Sequence, residues 1–157
     1  MKRFITLVIM LLPLVAMAQG PDFSKLTKRY AGNDNVTVMN IGQQQLLAFM
    51  DDDDDLEDIK NIDNITIMMT QDKALGEEIF NSASKVIKRS NGEEMISTSD
   101  EEQTIRVYTT SKDDVITSVI VSIISDEQSG LIVINGTISS DDLNDLIKIQ
   151  TDDMELQ

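Results

Sequence analysis

The chain contains no cysteine, no histidine and no tryptophan. Without cysteine there is no disulfide and no thiolate nucleophile, so packing alone must hold the fold. Without histidine the commonest general base is missing. The Ser-His-Asp and Cys-His arrangements go with it, as do the usual zinc and haem ligand sets. Two tyrosines and four phenylalanines leave little aromatic surface for holding a sugar or stacking a base. A glycine-rich phosphate loop and a GxSxG elbow are also absent. Basic residues are scarce: 13 Lys and Arg stand against 28 Asp and Glu, a formal charge of −15. Such a chain is repelled by phosphate backbones and anionic lipid surfaces, which argues against a nucleic-acid partner.

The first residues read MKRFITLVIMLLPLVAMAQ. Lys2 and Arg3 precede an apolar stretch over 4–15, too short to span a bilayer comfortably. Ala16-Met17-Ala18 then fits the small-x-small cleavage pattern. We therefore expect residues 1–18 to be a cleaved signal peptide, 19–150 to form one domain, and 151–157 to be a frayed acidic tail. No cysteine follows the cleavage site to carry a lipid, and no later stretch is long and apolar enough for a membrane span. The expectation is a soluble periplasmic or secreted protein that is not a lipoprotein and whose mature chain does not insert in a membrane.

Hydrophobic spacing outlines the elements. Residues 21–30 suit a short helix, with Pro21 near its start and Phe23, Leu26 and Tyr30 on one face. A β-rich segment spans 35–41, a helical one 43–50 and a second strand 65–69. Leu56, Ile59 and Ile62, three residues apart, suggest a helical turn. The longest helix follows. Asp72 is its N-cap, and Leu75, Ile79, Ala83 and Val86 form its apolar stripe. Glu77 and Glu78 come early, Lys85, Lys88 and Arg89 late, as the helix dipole favours, and Asn91-Gly92 ends it. Four strands are then expected at 94–98, 104–109, 115–125 and 131–138, joined by short polar links. Ser139 and Asp142 resemble a capping box opening a last helix, with Leu143, Leu146 and Ile147 inward. The fold class is α+β: one mixed or antiparallel sheet of about six strands, helices mainly on one face, and a four-strand meander before a short C-terminal helix.

In the strand at 115–125, both alternating phases carry apolar residues, as in a strand buried on both faces. Either an N-terminal helix covers the second face or that face meets a partner. Met68, Tyr108, Ile116 and Ile120 are the candidates for such an interaction face, on the assumption that they share it.

Five consecutive aspartates stand at 51–55. An EF-hand needs glycine at the sixth loop position and glutamate at the twelfth. Counted from Asp51 these are Leu56 and Ile62; counted from Asp52, Glu57 and Asp63. Neither register fits. Asp51, Asp53 and Asp55 remain candidates for a loose calcium site, while five adjacent like charges more simply form a solvated loop. Asn35, Asn64 and Asn135 each open an N-x-T triplet in or beside a predicted strand, where we read chance and not glycosylation. Gly136 within its strand predicts a bulge or a close backbone approach.

Four stretches resemble a known family in order: VTVMNIGQQQLLAFM (36–50), IKNIDNITIMM (59–69), TIRVYTTSKDDVITSVIV (104–121) and LIVINGTISSDDLNDL (131–146). Together they resemble domain-of-unknown-function family 4252, small exported proteins of Bacteroidetes. The resemblance implies an envelope protein and brings no catalytic residue with it. It departs at Gly42 and Gln43, where the family pattern carries a serine–lysine pair. The leading functional expectation is a non-enzymatic envelope module, without cofactor, that contacts another envelope protein or associates with itself. The alternatives are a calcium-dependent structural or buffering protein using 51–55, and a carboxylate-based hydrolase, which needs two acids facing across a cleft.

Overall fold

The computed structural model describes residues 21–49 and 60–139, together with 141 and 143. Among them run the helices α1 (Ser24–Tyr30), α2 (Gln43–Ala48) and α3 (Lys73–Arg89), and residues 141 and 143 are also helical. The strands are β1 (Thr37–Gly42), β2 (Ile62–Thr70), β3 (Glu93–Ser99), β4 (Gln103–Lys112), β5 (Val115–Ser125) and β6 (Ser129–Ile138). They form one sheet in the order β1-β2-β6-β5-β4-β3, with every neighbouring pair antiparallel. This is the α+β class that the pattern predicts. Helix α3 carries the chain from β2 across the sheet to its far edge. The meander β3–β6 then folds back until β6 pairs with β2. Among the described residues no helix is long and apolar enough to cross a membrane.

The local chemistry that sets α3 is the chemistry read from the sequence. The Asp72 carboxylate accepts a hydrogen bond from the Leu75 N–H at 3.2 Å, satisfying one free donor of the first turn. At the other end Gly92 N–H donates to Ile87 O and Asn91 N–H to Lys88 O, a Schellman stop. Asn91, not the glycine, takes the left-handed conformation, at φ 55°. In the β4–β5 hairpin Asp113 and Asp114 both have positive φ, as a two-residue turn that follows the strand twist requires.

Two apolar clusters lie on opposite faces of the sheet. The first packs Phe23, Leu26 and Tyr30 of α1 and Ile79, Ala83 and Ile87 of α3 onto Met68, Ile120, Leu131 and Val133. Both helices therefore share one face, and α1 does not cover the second face, the first of the two coverings that the pattern of β5 allows. The Tyr30 hydroxyl donates to Glu78 Oε1 at 2.6 Å, joining α1 to α3. Buried Gly76 brings α3 down onto β6, because a Cβ there would strike the Ser129 side chain. The second cluster is Val107, Val119, Val121, Ile138 and Leu143, flanked by half-buried isoleucines of β3–β6. Leu143 N–H donates to Ser139 O at 3.0 Å, one helical turn beyond β6. Leu146 and Ile147, expected on the same helix face, lie outside the described residues.

Two expectations, for Ile62 and for Ile116, are corrected by bulges, while Leu56 and Ile59 lie outside the described residues. Ile62 begins β2 instead of closing a helical turn; it pairs with Gly136, and a register shift separates it from Asn64. Gly136 faces the Asn61 carbonyl, which a Cβ would strike, and Thr137 N–H donates to that same oxygen at 2.8 Å. The expected close approach is thus the reason for glycine there. Strict alternation puts Ile116 on the face of Ile120. A second register shift, between Ile116 and Ser118, turns it to the face of Val119 and Val121 instead.

Candidate functional site

Asparagine is depleted in strands, because its amide competes for backbone hydrogen bonds and packs poorly on a pleated surface. Here β1, β2 and β6 each carry one on the helix-facing side, and they sit beside one another. Asn40 lies opposite Thr66, whose Oγ1 donates to Asn40 Oδ1 at 2.9 Å. Asn64 lies opposite Asn135, whose Nδ2 donates to Asn64 Oδ1 at 2.9 Å. Asn135 in turn lies opposite Ser118 of β5, whose Oγ donates to Asn135 Oδ1 at 2.7 Å. The result is a row of neutral polar groups across four strands of an otherwise apolar face. Ser118 is 1% exposed, Asn64 and Asn135 are half-buried, and Asn40 is exposed. The row therefore runs from the core out to solvent.

The segment leading into α1 overhangs this row and closes a cleft of about 320 Å³. Asp22, Phe23, Ser24 and Thr27 form the overhang; the sheet contributes Asn40, Asn64, Thr66 and Asn135. Among the described residues no basic side chain lines the cleft. Asp22 is the one ionisable side chain among the described lining residues. The Ser24 hydroxyl and the Ser24 N–H, the latter at 2.9 Å, hold its carboxyl below the ordinary carboxylate range, and Lys25 and Lys28 add to the effect. The cleft therefore presents amides, hydroxyls and one firmly ionised carboxylate at its rim. Groups of this kind orient a ligand, and they include no general base paired with a nucleophile.

A second cavity, of about 510 Å³, lies at the other end of the β1–β2 pair. Asp34 and Asp72 both line it, with Asn35, Gln71 and Gln128 between them. Asp72 is engaged as the N-cap of α3, and its carboxylate is exposed. Among the described residues no group of three or more acidic side chains is placed to hold a metal ion.

The residues singled out in the sequence fall elsewhere. Met68 and Ile120 are 1% and 0% exposed beneath the helices, and half-buried Tyr108 packs against the same cluster. Tyr108 stacks on Phe80 of α3, with ring centroids 6.3 Å apart. Ile116 is on the opposite face. The four do not form one surface, and all four are occupied by core packing, three beneath the helices and Ile116 against the second cluster. Asp51, Asp53 and Asp55 lie outside the described residues. Asn64 and Asn135, set aside as chance triplets, are the ones brought together. The signal was their position: an asparagine inside each of three apolar strands.

Fold and site define a small α+β domain that offers a polar cleft at one end of an antiparallel sheet. The family model for "Domain of unknown function (DUF4252)" matches residues 30–146, and the chain belongs to that family. No curated protein and no solved structure gives a significant match.

Proposed function

We propose that this is an exported, non-enzymatic binding module whose working surface is the cleft between α1 and the sheet. One observation carries the reading: the hydrogen-bonded row Asn40–Thr66 and Asn64–Asn135–Ser118 is set into a face that is otherwise apolar. Buried polar rows weaken a core unless they are fully paired, so a row that leads from Ser118 into an open cleft is better explained by recognition than by packing. The groups on the floor of the cleft are neutral and the Asp22 carboxylate at its rim is held ionised, which suits binding and not proton transfer. Export rests on the leader at 1–18, and its test is the N-terminus of the protein recovered outside the cytoplasm, expected at Gln19.

Mapping small neutral compounds on the 15N-labelled protein by NMR tests the binding reading. Shifts concentrated at residues 22–27, Asn40, Asn64 and Asn135 are expected. Shifts confined to the Asp34–Asp72 cavity, with turnover of the compound, would replace binding by carboxylate chemistry.

A further inference from the structure

Resting on that reading, we infer that the cleft takes an uncharged ligand bearing an amide group, as a peptide bond or an acetamido group supplies. The direction of the hydrogen bonds leads to this. Ser118 donates to Asn135, and Asn135 donates to Asn64. In the neighbouring pair Thr66 donates to Asn40. Each of the three amide oxygens is thus engaged. Both chains end on an amide nitrogen, at Asn64 Nδ2 and Asn40 Nδ2, and no hydrogen bond within the described residues takes either one's N–H groups.

A primary amide nitrogen carries two donors and no acceptor. Chains of hydrogen bonds polarise one another, so a donor at the end of a chain is stronger than the same group alone. The floor of the cleft therefore asks for oxygen acceptors. Its rim asks for the opposite: the Asp22 carboxylate accepts from the Ser24 N–H and the Ser24 hydroxyl, and, being ionised, its remaining lone pairs only accept. A ligand that satisfies both presents a carbonyl oxygen downward and an N–H toward Asp22. An amide does so within one functional group.

Charge narrows the choice further. An anion would meet Asp22, a lining without a basic side chain among the described residues, and the field of a chain of net charge −15. An ammonium would suit Asp22 but brings only donors to a floor of donors. The neutral amide is left. The cleft volume of about 320 Å³ stands near the lower end of small-molecule sites, which limits the ligand to one or a few such groups.

The test is a charge series at constant shape on the 15N-labelled exported protein, read at the side-chain amide resonances of Asn40 and Asn64. N-acetylalaninamide is the neutral probe, N-acetylalanine its carboxylate and alaninamide its cation; N-acetylglucosamine presents the same amide on a sugar. Saturable shifts with N-acetylalaninamide, at least tenfold weaker with the carboxylate and the cation, are expected. Binding of the sugar and not the peptide amide would uphold the chemistry and assign its source to an acetamido sugar. Carboxylate binding as tight as the amide overturns the inference while leaving the cleft a binding site. Silence from all four probes, with other neutral compounds still shifting these resonances, overturns the amide assignment alone. Silence from every compound overturns both.

Discussion

Replacing Asn135 by alanine removes the centre of the polar row and should destabilise the fold by about 2–3 kcal/mol. The magnitude comes from its two partners. Ser118 is 1% exposed, and its hydroxyl donates to Asn135 Oδ1 at 2.7 Å. Without that acceptor it becomes a buried orphan, at a cost of about 1–3 kcal/mol. Asn64 is half-buried and turns to water, so losing the 2.9 Å bond from Asn135 Nδ2 costs only about 0.5–1 kcal/mol. A second substitution isolates the cost of the stranded hydroxyl. In Ser118→Ala/Asn135→Ala no hydroxyl is stranded, so the double variant should be no less stable than Asn135→Ala alone. The coupling between the two sites should be about 1–2 kcal/mol. Urea denaturation followed by circular dichroism reads this directly: with a slope of about 2 kcal/mol per M, the single variant moves the midpoint by roughly 1 M. Costs that simply add, within about 0.5 kcal/mol, would refute the reasoning, because they would mean that the Ser118–Asn135 bond contributes nothing to the native state.

Ile120→Asp should abolish cooperative folding and not merely some contact at a surface. Its side chain is fully buried under α3, and an unpaired carboxylate there costs several kcal/mol; native-like circular dichroism would contradict this. Tyr30 lies above the ordinary phenol value of 10.0 because burial disfavours its anion and because its hydroxyl bonds the Glu78 carboxylate. Its contribution is complete below about pH 10 and is lost as pH climbs through the folded value, so stability should fall in alkali and Tyr30→Phe should flatten that fall. An alkaline limb unchanged in the variant would assign the loss to other groups. The aspartates at 51–55 take no specific cation in this account, so thermal midpoints in calcium and in magnesium at equal ionic strength should coincide. A calcium-specific rise of several degrees, lost in Asp53→Asn, would make the run a site, since a ligand at 100 times its Kd adds about 2.7 kcal/mol.

The parts of the fold that were legible in the sequence are those fixed by local chemistry. The Asp72 cap, the stripe of α3, the Asn91-Gly92 stop and the full extent of β5 each follow from neighbours within a turn or a strand. What escaped depends on pairing across the sheet. One extra residue, Thr117, set against consecutive Thr110 and Ser111 of β4, reverses a face, and alternation counted along a single strand carries no sign of it. Both apolar phases of β5 are real. Which helix takes which face was set by packing between α1 and α3, through Tyr30 and Glu78, 48 residues apart. The candidate site was hidden for the same reason. Asn40, Asn64 and Asn135 are ordinary residues singly, and only the register of β1, β2 and β6 lines them up. A catalytic motif is read along the chain, whereas a row built across strands is read only once the strands are ordered.

The most direct test of the central claim keeps the row intact and changes only what it offers to the cleft. Asn40→Asp/Asn64→Asp retains the oxygens that accept from Thr66 and Asn135 and replaces the free amide donors by carboxylate oxygens. The measurement is the affinity of the double variant for N-acetylalaninamide relative to the wild type, beside its urea midpoint. The account predicts at least a tenfold loss of affinity with the fold preserved. Undiminished affinity in a folded double variant would contradict it and move the working surface away from this cleft.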